Sequence, residues 1–200
     1  MNTVCAASFD KISLDYEKGR PGYPDKMYEI INCHKNLNIG SEVLEIGAGN
    51  GVSTKQIYDK WLCRITAIEP GENLCALLKD KLKDAVQIYN STFELFNEPN
   101  LYDAIFCGTA FHWLDVTKYF RTSQLLKEDG ILCLYWNNYD IENPEIFYAV
   151  QEIYKKYHPT NDKMNVKKFH AQKITARKNE LENSKYFNLD CWSYWNLCNF

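Results

Sequence analysis

The chain has 200 residues, of which 46% are hydrophobic and 24% are charged, and its formal net charge is −3. This is enough chain for one ordinary domain with its own hydrophobic core. The mildly acidic total gives no overall basic footprint for nucleic acid, and no apolar run approaches the length of a membrane span.

The eight cysteines are scattered, and no pair has the C-x-x-C spacing of a structural zinc site. We therefore expect no metal. No charged-then-apolar signal peptide opens the chain, so reduced thiols in the cytoplasm are the simplest interpretation. Cys107 and Cys133 stand inside apolar runs and are expected to be buried as small hydrophobes.

The first predicted element is an amphipathic helix over Pro24–Asn36, with Pro24 near its first turn. From residue 41 to residue 137, short apolar runs alternate with amphipathic stretches, a pattern that predicts a parallel sheet built from βαβ units. The strands are predicted at Glu42–Ile46, Arg64–Ile68, Val86–Tyr89, Ala104–Cys107 and Ile131–Tyr135. Helices are predicted between them at Val52–Lys60, Gly71–Leu82 and Val116–Lys127, with Gly130 as a left-handed residue after the last helix.

Two further helices are predicted at Pro144–Tyr157 and Val166–Glu182, followed by one strand over Tyr186–Trp195. We expect a single domain over residues 1–200. Within it, residues 8–40 form an N-terminal cap and helix, residues 41–137 a core, and residues 138–200 the helices and terminal strand.

A glycine-rich turn gives the strongest local signal, because Gly47, Gly49 and Gly51 stand where the first strand ends and a helix begins. Glycines there allow a sharp turn and the close approach of a ligand to the main chain. A dinucleotide site requires G-x-G-x-x-G, but Val52 stands three residues after Gly49. Glu45 would also repel a pyrophosphate, whereas it suits an ammonium group. The alternative is a glycine turn without any cofactor.

A second acidic residue, Glu69, follows the second predicted strand about twenty residues after the glycine turn. A carboxylate there can accept hydrogen bonds from both hydroxyls of a ribose. Alone it would be an exposed loop acid, but the combination with the glycine turn favours a nucleoside site.

Five stretches together resemble class I S-adenosylmethionine-dependent methyltransferases, especially the small-molecule branch that includes trans-aconitate methyltransferase-like proteins. They are Phe9-Asp10 with Tyr16 and Arg20-Pro21-Gly22-Tyr23-Pro24, the glycine turn, Ile68-Glu69-Pro70, Ser91-Thr92-Phe93-Glu94, and Tyr102-Asp103-Ala104-Ile105 leading to Ala110-Phe111-His112-Trp113-Leu114. The resemblance implies an α/β, Rossmann-like, mostly parallel sheet with helices on both faces. Domains of this family usually finish with two strands after the fifth, one of them antiparallel, but this sequence has room for only one, over Tyr186–Trp195. We therefore expect six strands rather than seven, with the last strand missing in a fragment or a naturally shortened member.

The resemblance assigns cofactor contacts residue by residue. Glu45 would face the methionine amino group through water, Glu69 would hold the ribose, and Arg20 would approach the methionine carboxylate. The other implied contacts are Gly47, Ala48, Gly49 and Gly51 beneath the methionine and ribose, Pro70 in the ribose turn, Thr92 and Phe93 at the adenine, and Thr109 and Ala110 at the methyl side. Tyr16 and Tyr23 would help to close the pocket.

Several of these residues have a structural alternative. For Thr92 the alternative is a cap on a short helix, and for Phe93, Phe111 and Trp113 it is packing in the core. His112 is a weak candidate for a catalytic base, because a histidine beside aromatics is more often structural; the catalytic residue is otherwise unknown.

The implied function is methyl transfer from S-adenosylmethionine to a small-molecule acceptor by direct in-line transfer. One alternative is a shortened, catalytically inactive binding protein. The other is a dinucleotide-dependent oxidoreductase, against which Glu45 and the position of the third glycine argue. The helices after residue 144 would cover the substrate with Tyr148, Tyr157, His158 and Lys168, and their basic character would suit an anionic acceptor. Neither nucleic acid nor a membrane is expected as a partner, and an exposed sheet edge would favour a dimer.

Overall fold

The computed structural model describes residues 10, 21–137, 144–157, 166–191 and 193, without the side chains at 144, 147, 151, 154, 155, 157 and 166–172. The chain divides into two compact units, Met1–Trp136 and Asn137–Phe200. The first unit contains the sheet, and the second contains two helices. The single domain predicted over residues 1–200 stays a prediction.

A five-stranded parallel sheet forms the centre of the first unit, with the strand order β3-β2-β1-β4-β5. The strands are β1 (Glu42–Ile46), β2 (Arg64–Glu69), β3 (Val86–Asn90), β4 (Tyr102–Gly108) and β5 (Leu126–Tyr135). All five predicted strands are therefore confirmed, with bounds extended by one to five residues in all but β1.

Helices connect the strands of this sheet. They are α1 (Asp25–His34) before β1, α2 (Val52–Trp61), α3 (Glu72–Leu82) and α4 (Lys118–Leu125), with short 3₁₀ turns at Lys83–Ala85 and Phe111–Trp113. Each α-helix overlaps a helix predicted from the sequence, and the largest difference lies at α4, where both ends are two residues shorter.

The two central strands are buried along their length. In β1, Val43 and Leu44 are inaccessible to solvent, as are Ala104, Ile105 and Phe106 in β4. Because successive side chains of a strand point to opposite faces, this continuous burial means that both faces of the sheet centre are covered. The observed architecture is the Rossmann-like α/β fold that the sequence predicts.

Gly130 does not have the left-handed conformation that we predicted. Among the described glycines, only Gly47, Gly49 and Gly51 have positive φ. α4 ends at Leu125 and β5 begins at the next residue, where Leu126 pairs with Tyr102 ahead of a register irregularity. Gly130 instead permits close packing, since a Cβ there would lie 2.9 Å from the Tyr102 carbonyl oxygen. Strand pairing, which local sequence does not reveal, replaced the expected helix cap.

The second unit contains α5 (Pro144–Tyr157) and α6 (Val166–Ser184), close to the predicted bounds. The strand predicted over Tyr186–Trp195 is wrong for its described residues, since 186–191 and 193 have no strand structure. Aromatic residues favour strands only where a neighbouring strand supplies hydrogen bonds and packing. The described residues thus form five strands, all parallel, and not the six that we expected. Within the same residues, no helix has the length and apolarity required to span a membrane.

Candidate functional site

The candidate site lies at the carboxyl ends of β1, β2 and β4, where the glycine turn leads from β1 into α2. Gly47, Gly49 and Gly51 have φ angles of 72°, 59° and 81°. Side chains with a Cβ are unfavourable in this region, so the backbone conformation explains why glycine occupies all three positions. The predicted sharp turn is confirmed.

The three glycines differ in what surrounds them. A Cβ at Gly47 would lie 2.5 Å from the Ala110 Cβ, and a Cβ at Gly51 would overlap the Leu78 side chain. A Cβ at Gly49 would meet no atom within 4 Å. Gly47 and Gly51 therefore serve the packing of the turn, while the backbone at Gly49 faces open space that a ligand can enter.

Glu69, at the end of β2, joins two loops through its carboxylate. The N–H of Gly49 donates to Glu69 Oε2 and the N–H of Gly71 donates to Glu69 Oε1, each at 2.8 Å. The side chain is only 6% exposed. Burial raises the pKa of the Glu69 carboxyl, while the hydrogen bonds from Gly71 and Gly49 act in the opposite direction.

An additional carboxylate, Asp10, lies beside this junction. It accepts hydrogen bonds from the Leu74 backbone N–H at 3.1 Å and the Asn73 side-chain amide at 2.9 Å, so it caps the first turn of α3. Its negative charge contributes to the raised pKa of Glu69. Asp10 therefore lies at the edge of the candidate site.

Glu45 lies on the wall of a pocket in front of the glycine turn, and only 1% of this residue is exposed. The described residues that line the pocket are Tyr23, Glu45, Gly47, Ala48, Gly49, Asn50, Val52, Ser53 and Gly108. No described residue forms a hydrogen bond with the buried side-chain nitrogen of Asn50. The lining combines a buried acid, exposed backbone and an amide, a set suited to a polar ligand that carries a positive charge.

Tyr23 forms another wall of this pocket. Its hydroxyl shares a hydrogen bond of 3.2 Å with Thr109 Oγ1, and its ring packs edge-on against Tyr135 with 4.5 Å between ring centroids. Its backbone N–H donates to Gln56 Oε1 at 2.9 Å and its carbonyl accepts from Gln56 Nε2 at 2.8 Å. Tyr23 is thus held by three separate elements.

Thr109 and Ala110 follow β4, as predicted. Thr109 has a φ of 59°, unusual for a residue with a branched Cβ, and its N–H donates to the Tyr135 carbonyl at 2.8 Å. Ala110 is buried against Gly47. The loop after β4 therefore contacts the glycine turn directly, and the structure brings both predicted stretches together.

Sequence reasoning missed Ser53, Gln56 and Tyr135. Ser53 Oγ and the Tyr135 hydroxyl share a hydrogen bond of 2.5 Å, and burial raises the pKa of Tyr135 well above its ordinary value. Ser53 and Gln56 are three residues apart on α2 and share a helix face. Two polar residues at that spacing, directly after a glycine turn, were the signal that could have indicated a role in the site. The sequence did not identify their partners, because these lie at least thirty residues away.

Thr92 and Phe93 lie in a turn after β3 and outside the pocket lining named above. The Thr92 carbonyl accepts from the N–H groups of Leu95 and Phe96. Phe93 is 2% exposed, and the Arg121 guanidinium lies 5.1 Å from its ring centroid. Phe93 is therefore a core aromatic in this structure, and the adenine contact remains a prediction. Pro70 lies beside Glu69, with its carbonyl accepting from Asn90.

His112 is exposed in the 3₁₀ turn after β4. Its Nδ1 accepts a hydrogen bond of 3.2 Å from the indole N–H of Trp136, and its ring lies 4.5 Å from the Trp113 ring. A neutral imidazole that accepts at Nδ1 carries its proton on Nε2. Nδ1 is thus engaged by Trp136, and a catalytic role of His112 stays a prediction.

Other predicted positions fall outside the described residues: Arg20, Tyr16, His158 and the side chains of Tyr157 and Lys168. Tyr148 is described and is exposed on α5. In the described part of the chain, no group of three or more histidine, cysteine or acidic residues is arranged to hold a metal ion.

Residues 44–134 match the family described as a methyltransferase domain. An uncharacterized methyltransferase of Schizosaccharomyces pombe is 31% identical over 131 residues, covering 65% of this chain and 52% of that protein. An uncharacterized methyltransferase of Mycobacterium tuberculosis is 28% identical over 134 residues, covering 66% and 53%. The chain thus spans about half the length of these relatives.

Two solved structures share the fold. A Methanococcus maripaludis protein assigned to the S-adenosyl-L-methionine-dependent methyltransferases gives a TM-score of 0.56 at 21% identity, covering 90% of this chain and 82% of that chain. A Haemonchus contortus phosphoethanolamine N-methyltransferase, bound to phosphomonomethylethanolamine and S-adenosylhomocysteine, gives 0.53 at 22% identity, covering 71% and 37%. At these identities, the likeness concerns the fold.

Proposed function

We propose that this chain is a class I methyltransferase domain, which binds S-adenosylmethionine and transfers its methyl group to a small-molecule acceptor by direct in-line transfer. The observation that carries the proposal is the junction at Glu69. Its carboxylate accepts from Gly49 and Gly71 at 2.8 Å and so holds the glycine turn beside the loop after β2. An acid that can accept from ribose hydroxyls, next to an open glycine backbone, suits a nucleoside ligand.

The described residues fit this cofactor. The space in front of Gly49 is free for a ligand, and the buried carboxylate of Glu45 offers a partner for an ammonium group. We assign the ribose to Glu69, with Pro70 shaping its turn, and the methionine to the backbone of Gly47, Ala48 and Gly49. The remaining assignments are the methionine carboxylate to Arg20, the methyl side to Thr109 and Ala110, and the adenine to Thr92 and Phe93.

When bound, the cofactor supplies a methyl group that its sulfonium has already activated. The chain's residues then have to orient the acceptor and exclude water. Tyr23 and Tyr135 provide apolar ring surface beside the pocket, and Thr109 fixes the Tyr23 hydroxyl. A carboxylate acceptor needs no base, so the proposed transfer does not depend on His112.

We propose a small anionic acceptor. α6 carries five basic residues, Lys167, Lys168, Lys173, Arg177 and Lys178, against the acids Glu180 and Glu182. A basic helix attracts anions, but basic residues also commonly form a solvated helix surface, so an acceptor screen must decide between these two roles.

We also propose that the protein is cytoplasmic, since the described cysteines at 33, 63, 75, 107, 133 and 191 are free thiols.

Calorimetric titration with S-adenosylhomocysteine tests cofactor binding, with NAD as the control ligand. We expect micromolar binding of S-adenosylhomocysteine and none of NAD. Glu69→Ala should weaken binding about 100-fold, because about 2.7 kcal/mol of charge-assisted hydrogen bonding is lost. Glu72→Ala removes an exposed acid three residues away and should bind as the unchanged chain does. Tight NAD binding would overturn the assignment.

A screen of small acids and amines then tests transfer, with release of S-adenosylhomocysteine as the readout. Turnover of a carboxylic acid that depends on Glu69 supports the proposed reaction. Cofactor binding without turnover of any acceptor would favour the catalytically inactive binding protein.

A further inference from the structure

We infer that Gln56 is a positioning residue that holds Tyr23 as a wall of the cofactor pocket. The inference rests on the proposed function, because the pocket in question is the one assigned to S-adenosylmethionine. It concerns a side chain on α2 that forms two hydrogen bonds with the Tyr23 backbone.

Gln56 binds both backbone groups of one residue that lies 33 positions earlier in the chain. Its Oε1 accepts from the Tyr23 N–H at 2.9 Å, and its Nε2 donates to the Tyr23 carbonyl at 2.8 Å. This reciprocal pair fixes both the position and the orientation of the peptide, as a neighbouring strand would do. A single glutamine therefore attaches the segment before α1 to the helix that follows the glycine turn.

Gly22 completes this attachment. A Cβ at Gly22 would lie 3.1 Å from both the Nε2 and the Oε1 of Gln56, which is closer than ordinary van der Waals contact. The backbone of the segment therefore lies directly against the amide group of Gln56. A side chain at position 22 would push the two apart.

The attachment determines where the Tyr23 side chain lies. With its peptide fixed on α2, the ring packs against Tyr135 and the hydroxyl reaches Thr109. Tyr23 thereby lines the pocket together with Glu45, Gly49 and other residues. Gly108 allows this approach, since a Cβ there would lie 2.8 Å from the Tyr23 hydroxyl oxygen.

One turn of α2 fixes both aromatic rings beside the pocket. Ser53 shares a hydrogen bond with the Tyr135 hydroxyl, and Gln56, on the same helix face, holds the backbone of Tyr23. Loss of the Gln56 side chain removes both of these hydrogen bonds from the Tyr23 backbone. Tyr23 is then held less tightly, although Tyr135 and Thr109 still contact it, and the ligand must immobilise it on binding, which lowers affinity.

The test measures the dissociation constant of S-adenosylhomocysteine for the full chain. Gln56→Ala should raise this dissociation constant about tenfold. Gly22→Ala should raise it by a smaller factor, because the Gln56 side chain can shift to accommodate the added methyl group and keep part of its contact with Tyr23. Asp59→Ala, on the exposed side of α2, is the matched control and should leave the dissociation constant unchanged. Circular dichroism establishes that each variant is folded.

A double-mutant cycle with Tyr23→Ala distinguishes positioning from a general contribution to the fold. If Gln56 acts through the Tyr23 side chain, Gln56→Ala has little further effect once that side chain is gone. A full tenfold effect in the Tyr23→Ala background, or no effect in the parent chain, overturns the inference while the proposed function stands. Absence of binding by the parent chain defeats the proposed function and this inference with it.

Discussion

Gly49 and Gly51 are only two residues apart, but replacing each with alanine should have a different main effect. Gly49→Ala should mainly weaken ligand binding, and Gly51→Ala should mainly lower the free energy of unfolding. Both have positive φ, at 59° and 81°. A side chain with a Cβ costs about 1–2 kcal/mol in the left-handed region. Alanine also stiffens the unfolded chain in both variants, so their difference isolates what the added methyl group meets in the folded protein.

That difference follows from the surroundings. At Gly51 the methyl group would overlap the Leu78 side chain, which is inaccessible to solvent and cannot move away freely. Overpacking of this kind adds about 1–3 kcal/mol, so we expect Gly51→Ala to lose about 2–5 kcal/mol in total. At Gly49 no atom lies within 4 Å, and only the backbone contribution applies.

Urea unfolding followed by tryptophan fluorescence gives the free energies of unfolding, and calorimetry gives the affinity for S-adenosylhomocysteine. Gly49→Ala should remain the more stable variant but bind at least tenfold more weakly, because its methyl group occupies the open space. Equal destabilisation of the two variants, or unchanged binding by Gly49→Ala, would refute the reasoning.

Two further predictions concern protonation. Because burial raises the pKa of Glu69, lowering the pH should neutralise it at a higher pH than an ordinary glutamate. The affinity advantage of the unchanged chain over Glu69→Gln should then shrink as the pH falls through that pKa. Calorimetry at several pH values measures this advantage, and a difference in affinity that does not change with pH would contradict the prediction. His112→Gln should keep kcat/KM within about twofold, since Trp136 already occupies Nδ1; a loss of 100-fold or more would instead indicate a general base.

Local sequence was sufficient for the five parallel strands and for the glycine turn. The strands of a parallel sheet are short apolar runs bounded by helices, and β1 was predicted with its observed bounds. Glu69 could be identified because its role depends on its spacing from the glycines. Its hydrogen bonds to Gly49 and Gly71 were not foreseen, since they depend on how the two loops meet.

The failures share one physical cause, which is dependence on partners distant in the chain. Gly130 was predicted as a helix cap, but pairing of Leu126 with Tyr102 extends β5 across that stretch. Gln56 appeared to be an ordinary helix residue because its partner Tyr23 lies outside the helix and 33 residues away. Periodicity reports which face of an element is buried, but it does not identify what covers that face.

The strand order affects the stage of folding at which the pocket can form. β1 pairs with β2 at a separation of 22 residues, Val43 with Ile65, but with β4 at 61 residues, Val43 with Ala104. The contact between Gly47 and Ala110 lies along this second, long-range seam. Closing it carries the larger loop entropy, so the half of the sheet containing β1, β2 and β3 can assemble before a pocket exists. A ligand that binds across the seam stabilises only the completed sheet, and it thereby couples the two halves into one cooperative unit.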